Sequence, residues 1–290
     1  MKASDFLYHR PESVPQVLGL LRDYAGGARI LAGGQSLMPM MNLRLWRPAA
    51  LIDIGRIPDL ERLEQKGDVT ILGPRFPYWR IENDRVIAER LPLLARMVRK
   101  VGDRQVRNRG TIGGSLVQAD PTGEMPLGTL ILGATIHAES IRGRRAIPVE
   151  QYFLGSYATA IEPDEMLVAV EYPRHPAYFS FAEVNRRHND FAVVSVAVAG
   201  DRAADGTWHN LRIGLGGVDE TPVLALAAMR RGEGTLLQAP DIAQMGILAA
   251  EHIDPPDDFR ASADYRRHLT RVHLTRVLGS MLASAGFREE

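Results

Sequence analysis

The chain has 290 residues, of which 45% are apolar and 24% are charged; this balance is typical of a globular protein, and the length allows two modest domains. Its 35 basic and 35 acidic residues cancel, which argues against nucleic-acid or membrane-surface binding driven by bulk positive charge. Cysteine is absent, so the chain by itself forms no disulfide, thiolate zinc site or cysteine-ligated iron–sulfur cluster.

The first part of the chain predicts one helix and three short strands. Residues 13–16 predict the start of the helix, with Ser13 as N-cap and Gln16 placed for a capping box. Apolar residues follow at helical spacing, and Gly26-Gly27 predicts the end of the helix. Short apolar runs bounded by glycine then predict strands at 28–32, 51–54 and 69–73.

The middle of the chain predicts a helix at 91–101 and then a basic segment, 104–110, that is interpreted as a loop. Two runs with strand character follow, at 134–139 and 166–172. The sequence Pro-Arg-His-Pro at 173–176 indicates a boundary between domains.

The last part predicts a second sheet with helices. A buried strand is expected at 191–199, a hairpin turn at Asp205-Gly206 and a returning strand at 211–215. Helical patterns follow from 221 onward and at 262–285. The fold class is therefore α+β, with a larger amino-terminal half that carries both glycine pairs and a smaller sheet-and-helix domain after it.

The first glycine pair follows the strand at 28–32. Consecutive glycines after a strand let backbone N–H groups point into one concavity, where they can bind phosphate oxygens. A hydroxyl and an amide side chain add further donors, and no lysine or arginine lies inside the loop. An isolated glycine pair is more often a simple turn, and the pattern is not the Gly-x-Gly-x-x-Gly of a Rossmann fold. The candidate residues of this loop are Ala32, Gly33, Gly34, Gln35, Ser36 and Leu37.

The second glycine pair repeats this chemistry, and two anion nests in one domain suit a diphosphate better than a single phosphate. Its candidate residues are Thr111, Ile112, Gly113, Gly114 and Ser115. Asp120 and Glu124 follow in a turn-rich segment, where carboxylates beside an anion site can bind sugar hydroxyls. Asp120 before proline is equally typical of a turn residue.

Other candidates for chemistry are weaker. His268 and His273 lie five residues apart on different faces of a helix, so no metal site is expected. Ser36 and Ser115 have no histidine nearby in sequence, and no catalytic residue is assigned. The arginines at 104, 107 and 109 fit a solvated face, or a surface that attracts an anionic cofactor or an acidic partner. The arginines at 266, 267 and 271 fit surface or subunit-contact positions.

The ordered set of motifs resembles the FAD-binding medium subunit of molybdenum hydroxylases, the group that includes aerobic carbon monoxide dehydrogenase and xanthine dehydrogenase. The resemblance runs over nearly the whole chain. It is carried by segments 32–39, 107–116, 119–121, 124–126, 190–192, 216–218, 222–223 and 265–269.

This resemblance implies a two-subdomain FAD-binding fold of the p-cresol methylhydroxylase type at 1–175, with the subdomain boundary near 55–60, and a medium-subunit carboxy-terminal domain at 176–290. Residues 32–36 and 111–115 would hold the pyrophosphate of FAD, and Asp120 or Glu124 would lie near the adenosine or ribityl hydroxyls.

The resemblance also implies partners: a large molybdopterin subunit and a small subunit with 2Fe–2S clusters, in a heterotrimer or its dimer. Electrons would pass from the clusters through FAD to an external acceptor, which is quinone, NAD or oxygen. No run of about 18 apolar residues occurs and the first residues lack a signal-peptide core, so we expect a cytoplasmic protein without a membrane span.

Two segments depart from the family pattern. Residues 73–79 replace two threonines by prolines and aromatics, which removes donors near the flavin; stacking of these aromatics on a cofactor ring and core packing are both possible. Glu183 stands near a position where relatives carry lysine, and Arg186 or Arg187 could replace that charge. The altered segment leaves a second reading open, that of an assembly or scaffold subunit that has lost FAD.

Overall fold

The computed structural model describes residues 2–187 and 189–286. Its first unit is a three-stranded parallel sheet with strand order β1-β3-β2. Val17, Leu18 and Leu21 on one face of α1 are buried against this sheet, because their spacing places them on a single stripe of the helix. The elements are β1 (Leu7–His9), α1 (Val14–Tyr24), β2 (Ala28–Leu31), α2 (Leu37–Asn42) and β3 (Ala50–Asp53).

The helix predicted after Ser13 is confirmed, but its capping box is not. Ser13 is the N-cap residue and its side chain makes no capping hydrogen bond. Gln16 instead accepts a hydrogen bond from the backbone N–H of Glu12, at 2.8 Å. The helix ends at Tyr24, and Ala25 turns the chain in a left-handed conformation with φ of 44°.

The second unit is a five-stranded antiparallel sheet with helices, in strand order β4-β5-β10-β6-β7. Its strands are β4 (Leu63–Lys66), β5 (Val69–Leu72), β6 (Thr135–Ser140), β7 (Gly143–Pro148) and β10 (Met166–Tyr172), with a small hairpin of β8 (Phe153–Gly155) and β9 (Ala158–Thr159). Its helices are α3 (Tyr78–Asn83), α4 (Arg85–Arg90), α5 (Pro92–Met97), α6 (Arg104–Arg109), α7 (Ile112–Gln118) and α8 (Glu124–Ile131).

Two sequence-based expectations for this unit are wrong. The basic segment at 104–110 forms helix α6 rather than a loop, and the Asp103 side chain caps it by accepting from the N–H of Val106 at 3.0 Å. Gly113 and Gly114 lie in the first turn of helix α7 rather than in an open loop. The cause in both cases is an N-cap residue, Asp103 or Thr111, whose side-chain oxygen satisfies a free N–H of the following turn.

The third unit is a four-stranded antiparallel sheet, β11-β12-β13-β14, with three helices. Its elements are β11 (Tyr178–Val184), β12 (Val194–Arg202), β13 (Trp208–Gly216), β14 (Val223–Leu224), α9 (Leu226–Gly232), α10 (Ala239–Glu251) and α11 (Ala263–Gly286). The hairpin turn predicted at Asp205-Gly206 is confirmed, with φ of 87° at Gly206. The α+β class is likewise confirmed.

Strand β12 explains how the second and third units meet. Ala197 and Ala199 belong to the apolar core of the second unit, whereas Val196 and Val198 belong to the core of the third. Successive side chains of a strand point to opposite faces, so both faces of this sheet are covered: α8 packs on β12 and β13, and α11 packs on β11 and β12.

The surface position expected for the arginines of the last helix is wrong for Arg266. Its side chain is 1% exposed. The guanidinium donates to the carbonyl oxygens of Val193 and Gly217 and to Oδ1 of Asp258. Arg266 therefore joins α11 to the ends of the third sheet. Across the described part of the chain, no helix combines the length and apolar character needed to cross a bilayer.

Candidate cofactor site

A cavity of about 820 Å³ opens between the first glycine loop and the segment around α3 and α6. Sites for small molecules and cofactors usually enclose about 300–1,000 Å³, so its size suits a large cofactor. The side chains and backbone that line it are Arg10, Leu31, Ala32, Gly33, Gly34, Gln35, Met38, Pro39, Asn42, Asp53, Gly55, Glu61, Arg75, Pro77, Trp79, Asn108, Arg109 and Thr111.

The first glycine loop presents free donors to this cavity. Gly34 has φ of 73°, which favours glycine. Among the described residues, the backbone N–H groups of Gly34, Gln35 and Ser36 have no hydrogen-bond partner, while the carbonyls of Gly34 and Ser36 accept from Met38 and Met40 to begin α2. Consecutive free N–H groups in such a turn form an anion-binding nest, and this part of the site fits a diphosphate.

The second glycine pair is built differently, because its N–H groups are used within the protein. Ile112 donates to the carbonyl of Phe76 at 3.1 Å and Gly113 to that of Pro74 at 2.9 Å. Gly114 donates to Oγ1 of Thr111, and Ser115 to the Thr111 carbonyl. The segment is therefore a rigid helix start rather than a second nest. Thr111 alone among the five candidates lines the cavity, and FAD contact by the other four stays a prediction.

One glycine of each pair packs closely against another segment, Gly33 against the end of α6 and Gly113 against Pro74. An added Cβ on Gly33 would lie 2.0 Å from the carbonyl oxygen of Arg109, and one on Gly113 would lie 2.6 Å from Cβ of Pro74. Real Cβ atoms do not approach other atoms so closely, so glycine at both positions is required for this packing.

The acidic candidates lie outside the cavity wall. Oδ1 of Asp120 accepts from the N–H and the hydroxyl of Thr122, at 2.9 and 2.7 Å, and Oδ2 accepts from the Tyr157 hydroxyl at 3.3 Å. This is the turn role that the sequence allowed. Glu124 is the first residue of α8, where desolvation, with added repulsion from Glu183 and Asp120, raises its pKa to about 8.

Glu183 lies in a second, smaller cavity of about 460 Å³. Burial raises the pKa of Glu183, and the charge of Lys100 opposes that rise. Arg186 donates to the carbonyl of Phe259 and Arg187 pairs with Asp190. The expectation that Arg186 or Arg187 replaces the lysine charge near the flavin stays a prediction.

The altered segment 73–79 divides its aromatic residues between two roles. Phe76 and Tyr78 are buried core residues. Trp79 is 46% exposed and lines the large cavity. The interpretation of these aromatics as core residues is thus correct for Phe76 and Tyr78.

Sequence reasoning named Trp79 and Arg109 as alternatives but missed other cavity residues, among them Asp53 and Asn108. Asp53 at the carboxyl end of β3 accepts from the N–H of Gly55 at 2.7 Å and from the Tyr8 hydroxyl, and forms an ion pair with Arg10. The general rule that ligands bind beyond the carboxyl ends of parallel strands could have indicated it. Within residues 2–187 and 189–286, no group of three or more histidines and carboxylates is placed to hold a metal ion.

The sequence and the fold were compared with known proteins. Residues 3–175 match the family described as FAD binding domain in molybdopterin dehydrogenase, and residues 179–281 match the CO dehydrogenase flavoprotein C-terminal domain. The chain belongs to the FAD-binding medium subunits of the molybdenum hydroxylase family. It is thus a flavoprotein subunit of an oxidoreductase complex, and its fold is the two-part FAD-binding fold followed by a carboxy-terminal domain.

Individual relatives of this medium subunit are similar over their whole length. The alpha subunit of the 6-hydroxypseudooxynicotine dehydrogenase complex of Paenarthrobacter nicotinovorans is 33% identical, with 98% of this chain and 97% of the relative covered. Carbon monoxide dehydrogenase of Hydrogenophaga pseudoflava and quinoline 2-oxidoreductase of Pseudomonas putida 86 each give a TM-score of 0.94, at 33% and 34% identity, covering 98% of this chain and 99% of theirs.

Proposed function

We propose that this chain is an electron-transfer subunit, in which bound FAD accepts electrons from 2Fe–2S clusters of a partner and passes them to an external acceptor. The observation that carries the proposal is the nest of three free N–H groups on Gly34, Gln35 and Ser36, of which Gly34 and Gln35 line the large cavity. In such subunits the protein positions the cofactor and tunes its electrostatics, while the flavin supplies the redox chemistry. No side chain is assigned as a catalytic acid or base.

The proposed partners are a large molybdopterin subunit and a small 2Fe–2S subunit, assembled as a heterotrimer or its dimer in the cytoplasm. The names of the relatives, "medium chain" and "complex subunit", support an assembly of several subunits. The lack of cysteine also supports it, because iron–sulfur clusters with thiolate ligands must then come from another chain.

We also propose the domain division 1–175 and 176–290, with two subdomains that meet near 55–60. The end of the parallel sheet at Asp53 and the start of the antiparallel sheet at Leu63 support the inner boundary. The matched family segments, which end at 175 and resume at 179, support the outer one.

The test uses the full chain, alone and copurified with its neighbours. The chain is expected to carry one FAD with visible flavin absorption, and in the complex, reduction of the partner clusters should bleach that absorption until an acceptor is added. A colourless chain that takes up no FAD when FAD is added in excess would instead support a scaffold subunit that has lost FAD. Bound flavin that never responds to cluster reduction would contradict electron transfer.

A matched pair of variants tests the nest itself. Gly34→Ala places a Cβ at φ of 73° in the loop, and Gly67→Ala does the same at φ of 58° in the β4–β5 turn, where no atom lies within 4 Å of the new Cβ. Both carry a similar backbone strain of about 1–2 kcal/mol. We expect Gly34→Ala to weaken FAD binding by about tenfold and Gly67→Ala to leave it unchanged; equal affinities would argue against the nest.

A further inference from the structure

The large cavity contains one aromatic side chain in its wall. Among the described residues that line it, Trp79 is the aromatic one, and its side chain is 46% exposed. Its neighbours Phe76 and Tyr78 are fully packed in the core, and Arg80 lies over the Phe76 ring at 4.4 Å. A large indole that faces an open cavity is suited to stacking on a planar ring.

The backbone that carries Trp79 is held in place. Tyr78 N–H donates to the carbonyl of Gly110 at 2.9 Å, and Nδ2 of Asn83 donates to the carbonyl of Trp79 at 2.6 Å. Pro77 forms an isolated bridge with Thr111. The indole thus starts from a segment fastened to the second glycine pair, and little ordering is needed when a ring binds to it.

The groups that share the cavity with Trp79 favour a purine. Asn42 and Asn108 line the same cavity and their amides are exposed. Amide side chains match the N6 and N7 atoms of adenine, which offer one donor and one acceptor. Aromatic stacking on a base contributes about 1–3 kcal/mol and needs no particular base edge.

We propose that the adenine ring of FAD stacks on Trp79, with its diphosphate at the Gly34–Ser36 nest. This inference rests on FAD binding by this chain and assigns the adenine end of the cofactor. Trp79 is a binding residue for the part of the dinucleotide that takes no part in electron transfer. The aromatic that replaces the family pattern at this position thus strengthens binding where the neighbouring segment has lost threonine donors.

The experiment separates the two halves of the cofactor. Full-length chain freed of flavin is titrated with ADP, with FMN and with FAD, for the wild type, Trp79→Ala, Trp79→Phe and a control, Trp46→Phe. Trp46 lies outside the cavity wall and has the Arg29 guanidinium 4.3 Å from its ring. Trp79→Ala is expected to weaken ADP and FAD binding by about tenfold or more and to leave FMN binding unchanged. Trp79→Phe should retain most of the affinity.

Tryptophan emission gives a second readout, which a merely structural role would not affect. The chain has three tryptophans. ADP is expected to quench part of the emission of the wild type and of Trp46→Phe, and to leave that of Trp79→Phe unchanged.

Three results would overturn the inference. Loss of FMN affinity with unchanged ADP affinity would place the flavin ring on Trp79, unchanged affinities for both would remove Trp79 from the site, and a wild type that binds FAD but not ADP would exclude an adenine subsite. A wild type that binds ADP and not FAD would contradict the proposed function and with it the placement of FAD, and would leave only an adenine-binding site at Trp79, so the two failures can be told apart.

Discussion

At Gly33 the chain leaves no room for a side chain, because the Arg109 carbonyl oxygen occupies the position of a Cβ. Gly33→Ala must push the first glycine loop away from the end of α6. We expect the free energy of unfolding to fall by about 1–3 kcal/mol, as for other overpacked sites, with weaker FAD binding. Urea unfolding of the chain without cofactor measures the first effect.

Gly19→Ala is the matched control for that substitution. Gly19 lies within α1 and an added Cβ would meet no atom within 4 Å. Alanine is the better helix former by about 1 kcal/mol, so this variant should be at least as stable as the wild type. Equal losses in both variants would show that the contact at Arg109 is not the cause.

Glu124 predicts a pH dependence of stability. Its pKa in the folded chain, about 8, lies above the value near 4.5 of an ordinary glutamate. The contribution of protonated Glu124 to the free energy of unfolding is complete below about pH 4.5. It falls by roughly 1.4 kcal/mol per pH unit above that and is lost as pH rises through about 8. Glu183 and Asp120 add to this effect, because their negative charges oppose ionisation of Glu124.

Glu124→Gln removes the ionisable group. As pH rises from about 6 to about 8, the free energy of unfolding of the wild type should therefore fall relative to that of the variant. Glu89→Gln serves as control, since Glu89 is exposed and pairs with Arg85. Unfolding by urea at several pH values measures all three proteins. Parallel pH profiles for Glu124→Gln and the wild type would contradict the assignment.

At the scale of elements, α11 is attached to the third sheet by one buried arginine. Removing the Arg266 side chain leaves the carbonyls of Val193 and Gly217 without their donor, and such buried unsatisfied groups cost about 1–3 kcal/mol each. Arg266→Ala is therefore expected to lower the free energy of unfolding by about 3 kcal/mol. Arg267→Ala, next to it and partly exposed, should change it by about 0.5 kcal/mol or less; similar losses in the two variants would contradict this role.

The elements also show what could be predicted from the sequence. Helix α1 and strand β10 were found because the apolar stripe of the one and the continuous apolar run of the other reflect burial. Helix α6 was missed, since none of its residues is buried and its pattern carries no apolar stripe. Its start depends on the cap at Asp103, a signal one residue long.

For the site, the first glycine loop was predictable because a nest is local: its donors are consecutive in sequence. Stacking by Trp79 was one of two open interpretations of its segment. The assembled cavity wall was not predictable, because it brings this residue together with Asp53 and Asn108 from distant parts of the chain. The burial of Arg266 was missed for the same reason, since its acceptors Val193 and Gly217 flank strands β12 and β13 and precede it by 73 and 49 residues.

At the scale of the whole molecule, helix α8 belongs to the core of the second unit and also packs on the third sheet. Every residue from Met125 to Ile131 is buried, and Leu127 lies against Gly214 of β13. A fragment of residues 1–175 would expose the side of α8 that faces the third sheet. We expect such a fragment to bind a hydrophobic dye and to aggregate, whereas the full chain does neither. A monomeric fragment with no dye binding would show that the two parts are independent.

The place of Arg266 in the chain has a consequence for synthesis. A ribosome adds about 5–20 residues per second, and both sheets of the first two units are complete once β10 has emerged. The third sheet is completed much later, because its strand ends and Asp258 accept hydrogen bonds from Arg266, which is made only with the final helix. For several seconds the nascent chain thus holds a finished cofactor cavity beside an unfinished sheet, and chaperones that bind exposed apolar strands have their target between Tyr178 and Gly216.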